Sequence, residues 1–283
     1  MEKIIRDITD TARWVAVYRA DETERADAVF RDPYARRLAG ERGEQVVKAM
    51  AEGRKNSWSF IARTYLFDKI IQQHIAEGYE MILNLASGLD ARPYRLTLPG
   101  ELAWVDVDMP GMIDYVKGMM ADEMPRCKLE RIPLDLSERE ARLELFDSLN
   151  SRNKKTLVVS EGLVGYLDES EAGALAYDLS HFRNFRHWVL DLMSPGILPL
   201  IQEEMGTLLD DAGTPLKFAP AEGEEFFQLF GWKPMASESK LKTALALHRV
   251  PAELMDFAQK PEPAGPKGAF PWSGVCVFEN KRK

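Results

Sequence analysis

Apolar positions along the chain follow two different patterns, and the change falls near residue 80. Before it the spacing is helical. Between Ser57 and Ile75 the residues Trp58, Ile61, Ala62, Tyr65, Leu66, Ile70 and Ile71 recur at intervals of three, four and one, which predicts an amphipathic helix with a broad apolar face. Gly78 stops it. Upstream, Thr9 and Asp10 are placed to cap a helix running through Tyr18, and Asp21 to Arg25 form a charged turn or helix start. Asp32-Pro33 opens another helix, with proline in the first turn and Tyr34, Leu38, Val46, Val47 and Met50 as apolar positions.

After residue 80 the pattern becomes short apolar runs. Strands are predicted at 81–86, 102–107, 128–132, 156–160, 187–193, 241–249 and 273–279. Helical stretches separate the first five, and that alternation predicts a mostly parallel sheet. The last two are joined by Pro251 to Phe270, a short helix from Ala252 to Phe257 followed by a Pro- and Gly-rich loop, and read as an antiparallel end. The fold class is therefore α/β: a Rossmann-like, seven-stranded, mostly parallel sheet with helices on both faces, preceded by an N-terminal helical cap. Residues 1–80 read as the cap over the mouth of the sheet and 81–283 as the core. Within the core, 195–234 breaks the rhythm and reads as an insertion that helps wall a substrate site.

The first candidate chemistry lies in the first βαβ unit, from Met81 to Pro110. The run Met81–Ala86 ends in the small residues Ser87-Gly88, and the next run ends in Asp106-Val107-Asp108. Both aspartates fall close to the spacing, about 20 residues beyond the glycine turn, at which an acid can accept both hydroxyls of a ribose. The turn lacks the G-x-G-x-x-G of dinucleotide enzymes, so a pyrophosphate has few bare amides to sit on. That disfavours a dinucleotide oxidoreductase and favours a nucleoside without phosphates, of which S-adenosylmethionine is the commonest. The alternative is an ordinary βαβ unit whose Gly88 merely ends a strand.

Composition narrows the picture. The net charge of −8, from 37 basic and 45 acidic residues, argues against nucleic acid as the main partner. The two cysteines, Cys127 and Cys276, form neither a C-x-x-C nor a zinc spacing, so neither a disulfide framework nor a metal site is expected, and a reducing, cytoplasmic setting is. The charged start MEKIIRDITDTARW has no apolar core of a signal peptide. No apolar run approaches the length of a spanning helix, so no membrane partner is expected. Asp106 and Asp108 also form a D-x-D pair, but no histidine or third acid lies nearby in sequence to complete a metal site.

Several motifs in order carry a resemblance. They are Asp32-Pro33-Tyr34-Ala35, Ala62-Arg63-Thr64 with Asp68, NLASGLDARPYRL from Asn84, VDVDMP from Val105, Leu134-Asp135-Leu136, and Ser160-Glu161-Gly162-Leu163 followed by Gly165-Tyr166-Leu167. Together they resemble the leucine carboxyl methyltransferase family, and most of all its bacterial small-molecule branch, over roughly residues 9 to 193. The resemblance implies S-adenosylmethionine as cofactor. It places Arg63 on the cofactor's carboxylate, Ala86 and Gly88 at the turn under its methionine part, and Asp108, with Asp106, at the ribose. Asp135 and Leu136 fall at the adenine, and Glu161 beside the cofactor. The alternatives are a surface role for Arg63, a solvated strand end for the two aspartates, and a helix-capping role for Asp135. Ala86 stands where many relatives have glycine. Gly165 replaces a bulky apolar residue, which predicts a wider pocket near Tyr166.

Methyl transfer from a sulfonium needs alignment and exclusion of water more than acid–base help. A carboxylate acceptor is ionised at pH 7, whereas a phenol needs a base. Three histidines are candidates by chemistry: His187 and His248 in predicted strands and His181 on a predicted helix, where structural roles are expected. The sequence singles out no catalytic base. Tyr166 and Arg19 are candidate contacts to the acceptor. The expected function is an O-methyltransferase acting on a carboxylate or hydroxyl of a small metabolite. A carboxyl methyltransferase of a protein C-terminus and a non-catalytic nucleoside-binding protein remain the alternatives, and the oligomeric state is open.

Overall fold

The computed structural model describes residues 5, 8–50, 54–206, 209–210 and 213–282. Three helices come first: α1 (Ile8–Glu24), α2 (Ala35–Ala49) and α3 (Ser57–Ala76). Thr9 and Asp10 lie inside the first turn of α1 rather than ahead of it, and Asp21 to Glu24 belong to its end rather than to a new helix. Helix α2 bends at Gly40, whose φ of 62° leaves the helical region. Gly78, at φ 82°, turns the chain out of α3 and into the first strand.

The strands are β1 (Met81–Leu85), β2 (Ala103–Asp108), β3 (Lys128–Pro133), β4 (Thr156–Ser160), β5 (Phe185–Met193), β6 (Trp232–Ser239) and β7 (Ser273–Asn280). They form one sheet in the order β3-β2-β1-β4-β5-β7-β6. The first five run parallel, and β7 lies antiparallel between β5 and β6. Between them come α4 (Arg92–Arg95), α5 (Pro110–Met119), α6 (Arg139–Asn150) and α7 (Glu169–Ser180). Asp168 begins α7 with a reciprocal capping box to Glu171.

Burial explains why β1 and β4 read as unbroken apolar runs. Every residue of each is buried, because helices cover both faces of the central strands. Leu83, Leu85 and Val158 pack into a core with Phe146, Leu175, Trp188 and Phe227. Ile82, Leu157 and Val189 point the other way, onto Leu66, Phe67, Ile70 and Ile71 of α3. Fully buried side chains of this kind contribute about 1.5–3 kcal/mol each, so α3 is fastened to the sheet along its apolar face.

One strand assignment is corrected. The segment 241–249 does not form the sixth strand. Lys240–Ala246 is a helix, α9, capped by Ser239, whose side chain accepts the Lys242 N–H. Leu, Lys and Ala are strong helix formers, and with a cap at Ser239 they override the apolar run. The strand is the preceding Trp232–Ser239, an edge strand with a register break between Pro234 and Ala236. A proline is admitted there because only one neighbour needs its hydrogen bonds. Segment 195–234 contributes the short α8 (Leu198–Ile201), a π-helical turn (Gln202–Gly206) and a 3-10 helix (Gly223–Phe230) before running into β6. The connector to β7 holds a 3-10 turn (Ala252–Leu254) and α10 (Met255–Gln259). No helix among the described residues is long and apolar enough to cross a membrane.

Candidate functional site

The strand order reverses direction between β1 and β4, so a crevice opens at their carboxyl ends, where open α/β sheets bind ligands. The turn after β1 holds two left-handed residues, Ala86 at φ 52° and Gly88 at φ 53°. Glycine takes that conformation freely, while an alanine costs about 1–2 kcal/mol. A Cβ on Gly88 would meet only the Ala12 Cβ of α1, at 3.7 Å, so the turn presents open backbone. The Gly88 N–H donates to Asp108 Oδ2 at 2.7 Å, and the Met109 N–H donates to Oδ1 at 2.7 Å. Burial pushes the Asp108 pKa up, against the pull of those two bonds. A carboxylate has about four lone-pair sites, so capacity remains for ribose hydroxyls.

Asp106 occupies a different place. It is 2% exposed, and its Oδ1 accepts from Trp104 Nε1 at 2.8 Å and Asn84 Nδ2 at 3.0 Å. Arg131 Nε lies 3.6 Å from Oδ2. Burial and the nearby Asp90 charge push its pKa up to about 7. Asp106 therefore lies under the turn, while Asp108 lies at the mouth. Asp135 and Leu136 are half-buried in the loop after β3. Asp135 Oδ1 accepts the Ser137 N–H at 2.9 Å, a local turn ahead of α6. The loop is tied to β2, since the Leu134 N–H donates to the Asp108 carbonyl at 2.8 Å.

Arg63 and Glu161 meet although they lie far apart along the chain: Arg63 Nε donates to Glu161 Oε1 at 3.0 Å. Gly162, at φ 70°, leaves the room that Arg63 fills, since a Cβ there would come within 3.2 Å of Nη1. Arg92 Nη2 holds the other Glu161 oxygen at 2.7 Å, and Arg92 also binds Asp68 at 2.6 Å and Asp90 at 2.8 Å. Arg95 shares Asp68 and lies 3.7 Å from Asp32. Arg63 Nη1 reaches Asp191 Oδ2 of β5 at 3.3 Å, and Lys240 Nζ lies 4.0 Å from the same oxygen. Burial favours a neutral Glu161, but Arg92 and Arg63 overcome it and hold the pKa down to about 2. Burial works the other way on Lys240 and, against the attraction of Asp191, lowers its pKa to about 8.

Gly88, Asp108, Asp135, Arg63 and Glu161 thus lie along one edge of the sheet. The sequence alone does not single out Arg92, Asp90, Asp191 or Lys240. Asp191 does leave a trace, as a lone acid within the apolar run Trp188–Met193. Arg19 is committed elsewhere: Nε donates to Asp32 at 2.9 Å and Nη2 to the Leu89 carbonyl at 2.6 Å, which ties α1 to the turn after β1. Tyr166 is half-buried and hydrogen-bonded to Thr11 of α1. Desolvation raises its pKa against the pull of that bond and of Arg63, so the phenol stays protonated at neutral pH.

Gly165 does not widen a pocket. A Cβ there would lie 3.2 Å from both Leu216 Cδ2 and Met193 Cε, and the Gly165 carbonyl accepts the N–H groups of Lys217 and Phe218 at 2.8 and 3.2 Å. The missing side chain is replaced by segment 216–218 docking onto the backbone. The histidines lie elsewhere. His187 is on β5 and His74 on α3, and both rings contact Tyr79, just before β1. His181 follows α7 and bonds the Tyr177 carbonyl, and His248 is exposed on the turn after α9 rather than in a strand. No group of three or more His, Cys, Asp or Glu residues suited to a metal is found among the described residues.

The leucine carboxyl methyltransferase family model matches residues 12–179. A protein of Mycobacteroides abscessus, provisionally named an S-adenosyl-L-methionine-dependent methyltransferase, is 29% identical over 188 residues, 61% of this chain and 62% of its own length. A Rhodococcus jostii protein with the same provisional name is 32% identical over 183 residues, 61% of each chain. This chain therefore covers less than two thirds of the length of those relatives. Two solved structures share the fold. A duf574 family protein from Streptomyces avermitilis has a TM-score of 0.57 at 14% identity, covering 95% of this chain and 97% of its own. A provisionally named methyltransferase from Thermobifida fusca has a TM-score of 0.56 at 15% identity, covering 98% and 96%.

Proposed function

Because this chain belongs to the leucine carboxyl methyltransferase family, we propose that it transfers a methyl group from S-adenosylmethionine to an oxygen of a small-molecule acceptor. The observation that carries the proposal is the row of groups along the carboxyl edge. Asp135 and Asp108 suit the adenine and ribose, Gly88 offers bare backbone, and Arg63 of α3 meets Glu161 just beyond the end of β4. These donor types fit the cofactor's parts in order: carboxylates for hydroxyl and amino groups, and a guanidinium for a carboxylate. When bound, the cofactor would supply a methyl group activated by a positively charged sulfur.

The residues of this chain bind, align and exclude water. Helix α1 lies across the turn through the Arg19 bond to Leu89, the Ala12 approach to Gly88 and the Thr11 bond to Tyr166. That cover favours a small acceptor over a polypeptide end, which needs an open groove. We assign residues 1–80 to this covering role and segment 195–234 to the acceptor wall. The histidines lie away from this edge and Tyr166 stays protonated, which favours an acceptor that is already ionised. A carboxylate meets that condition without a base. The net charge of −8 disfavours a nucleic-acid acceptor.

The test is calorimetric titration with S-adenosylhomocysteine, with NADH in parallel. Micromolar binding of the first and none of the second is expected, followed by transfer of labelled methyl to small carboxylic acids in a screen. Well-folded protein that ignores S-adenosylhomocysteine overturns the proposal. Binding without turnover on any acceptor class would favour a nucleoside-binding protein.

A further inference from the structure

Lys240 is 8% exposed, yet its ammonium has no hydrogen-bond acceptor among the described residues. Its nearest partner, Asp191 Oδ2 at 4.0 Å, is too far for a hydrogen bond. It also opens α9, where the positive end of the helix disfavours a cation. A largely buried lysine whose charged partner is this distant is costly. Its surroundings do suggest a use. Asp191 is fixed from the other side, because the Gly162 N–H donates to Oδ1 at 2.6 Å. Its Oδ2 then lies between two cations, Arg63 Nη1 at 3.3 Å and Lys240 Nζ at 4.0 Å. A single carboxylate thus holds a guanidinium from α3 and an ammonium from α9 side by side.

We propose that Lys240 is a second cationic receptor for the carboxylate of the cofactor's amino-acid arm, acting beside Arg63 and positioned by Asp191. The inference rests on the cofactor reading above. It gives Lys240 a job as a positioning and selectivity residue, one that distinguishes a nucleoside carrying an amino-acid arm from one that lacks it. Tying the carboxylate at two points fixes the arm, and with it the direction in which the methyl faces the acceptor. The charges also close. Arg63, Arg92, Lys240, Arg95 and Arg19 stand against Glu161, Asp191, Asp68, Asp90 and Asp32, so a zwitterionic arm adds no net charge to the buried cluster.

The experiment compares two ligands on three proteins. S-adenosylhomocysteine carries the arm, and 5′-methylthioadenosine lacks it. Each is titrated calorimetrically into the wild type, Lys240→Met, which keeps the volume without the charge, and Lys240→Arg, which keeps the charge. The expected result is about a tenfold loss of S-adenosylhomocysteine affinity in Lys240→Met, unchanged 5′-methylthioadenosine binding, and most of the affinity kept in Lys240→Arg. Equal losses for both ligands would mean a packing role and overturn the proposal, as would no loss for either. A wild type that binds neither ligand overturns the cofactor reading itself, a result distinct from both.

Discussion

Glu161, half-buried, and Asp106, fully buried, are acids at the same crevice, and their pKa values shift in opposite directions. Glu161 sits between Arg92 and Arg63, and its pKa falls to about 2. Asp106 is held by an indole and an amide, with Arg131 at 3.6 Å and Asp90 nearby, and its pKa rises to about 7. Burial raises both. What separates them is the partner: neutral donors solvate a carboxylate but do not offset the cost of burying its charge, whereas two guanidiniums do. Depth alone therefore does not mark a functional acid. Glu161 belongs to a cluster of paired charges, while Asp106 is part of the frame beneath the turn.

The comparison can be broken first at Arg92. Arg92→Met strands Asp68, Asp90 and Glu161 around an apolar side chain. We expect a loss of about 3–5 kcal/mol in urea unfolding at pH 7, and a smaller loss would mean that Arg63 and Arg95 carry the cluster alone. Acid titration of Glu161 comes next. Its folded pKa lies below its unfolded value, so its contribution is present above pH 4.5 and is lost as pH falls toward 2. That contribution is on the order of 3 kcal/mol, and Glu161→Gln should flatten the wild-type decline between pH 5 and pH 2. An unchanged slope would sink the assignment.

Asp106 should behave inversely. Its folded pKa lies above its unfolded value, so the native state holds the extra proton and stability falls as pH rises from about 4 toward 7. Asp106→Asn keeps an oxygen for Trp104 and Asn84 and should remove that fall, gaining about 1–2 kcal/mol at pH 8. A variant that loses stability at every pH would show that Asp106 works as a charge after all. The smallest effect belongs to the turn above it. Ala86→Gly relieves the left-handed alanine and should raise the unfolding free energy by about 0.5–1 kcal/mol, read as a shifted urea midpoint.

Sequence and structure agree best where the physics is local. Strands β1 and β4 are legible because burial on both faces demands unbroken apolar runs, and Gly88, Asp108 and Glu161 are legible because each closes such a run. The edge strand Trp232–Ser239 hides because it satisfies one neighbour and tolerates Pro234 and exposed polar residues. Helix α9 hides for the converse reason: its Leu and Ala residues make an apolar run whatever the backbone does. Arg92 and Lys240 carry no local mark at all. Their meaning comes from Glu161 and Asp191, partners on other elements and distant along the chain, and only the closed sheet brings them together.

The antiparallel β7 has a consequence for the birth of the protein. Among the described residues strand β6 pairs only with β7, so β6 has no place on the sheet until Ser273–Asn280 slots in beside β5. A nascent chain emerging from the ribosome could assemble β1 to β4 and still show β5 with a bare edge open to stray pairing. Docking of β7 shields that edge and gives β6, which leads directly into α9, its place on the sheet.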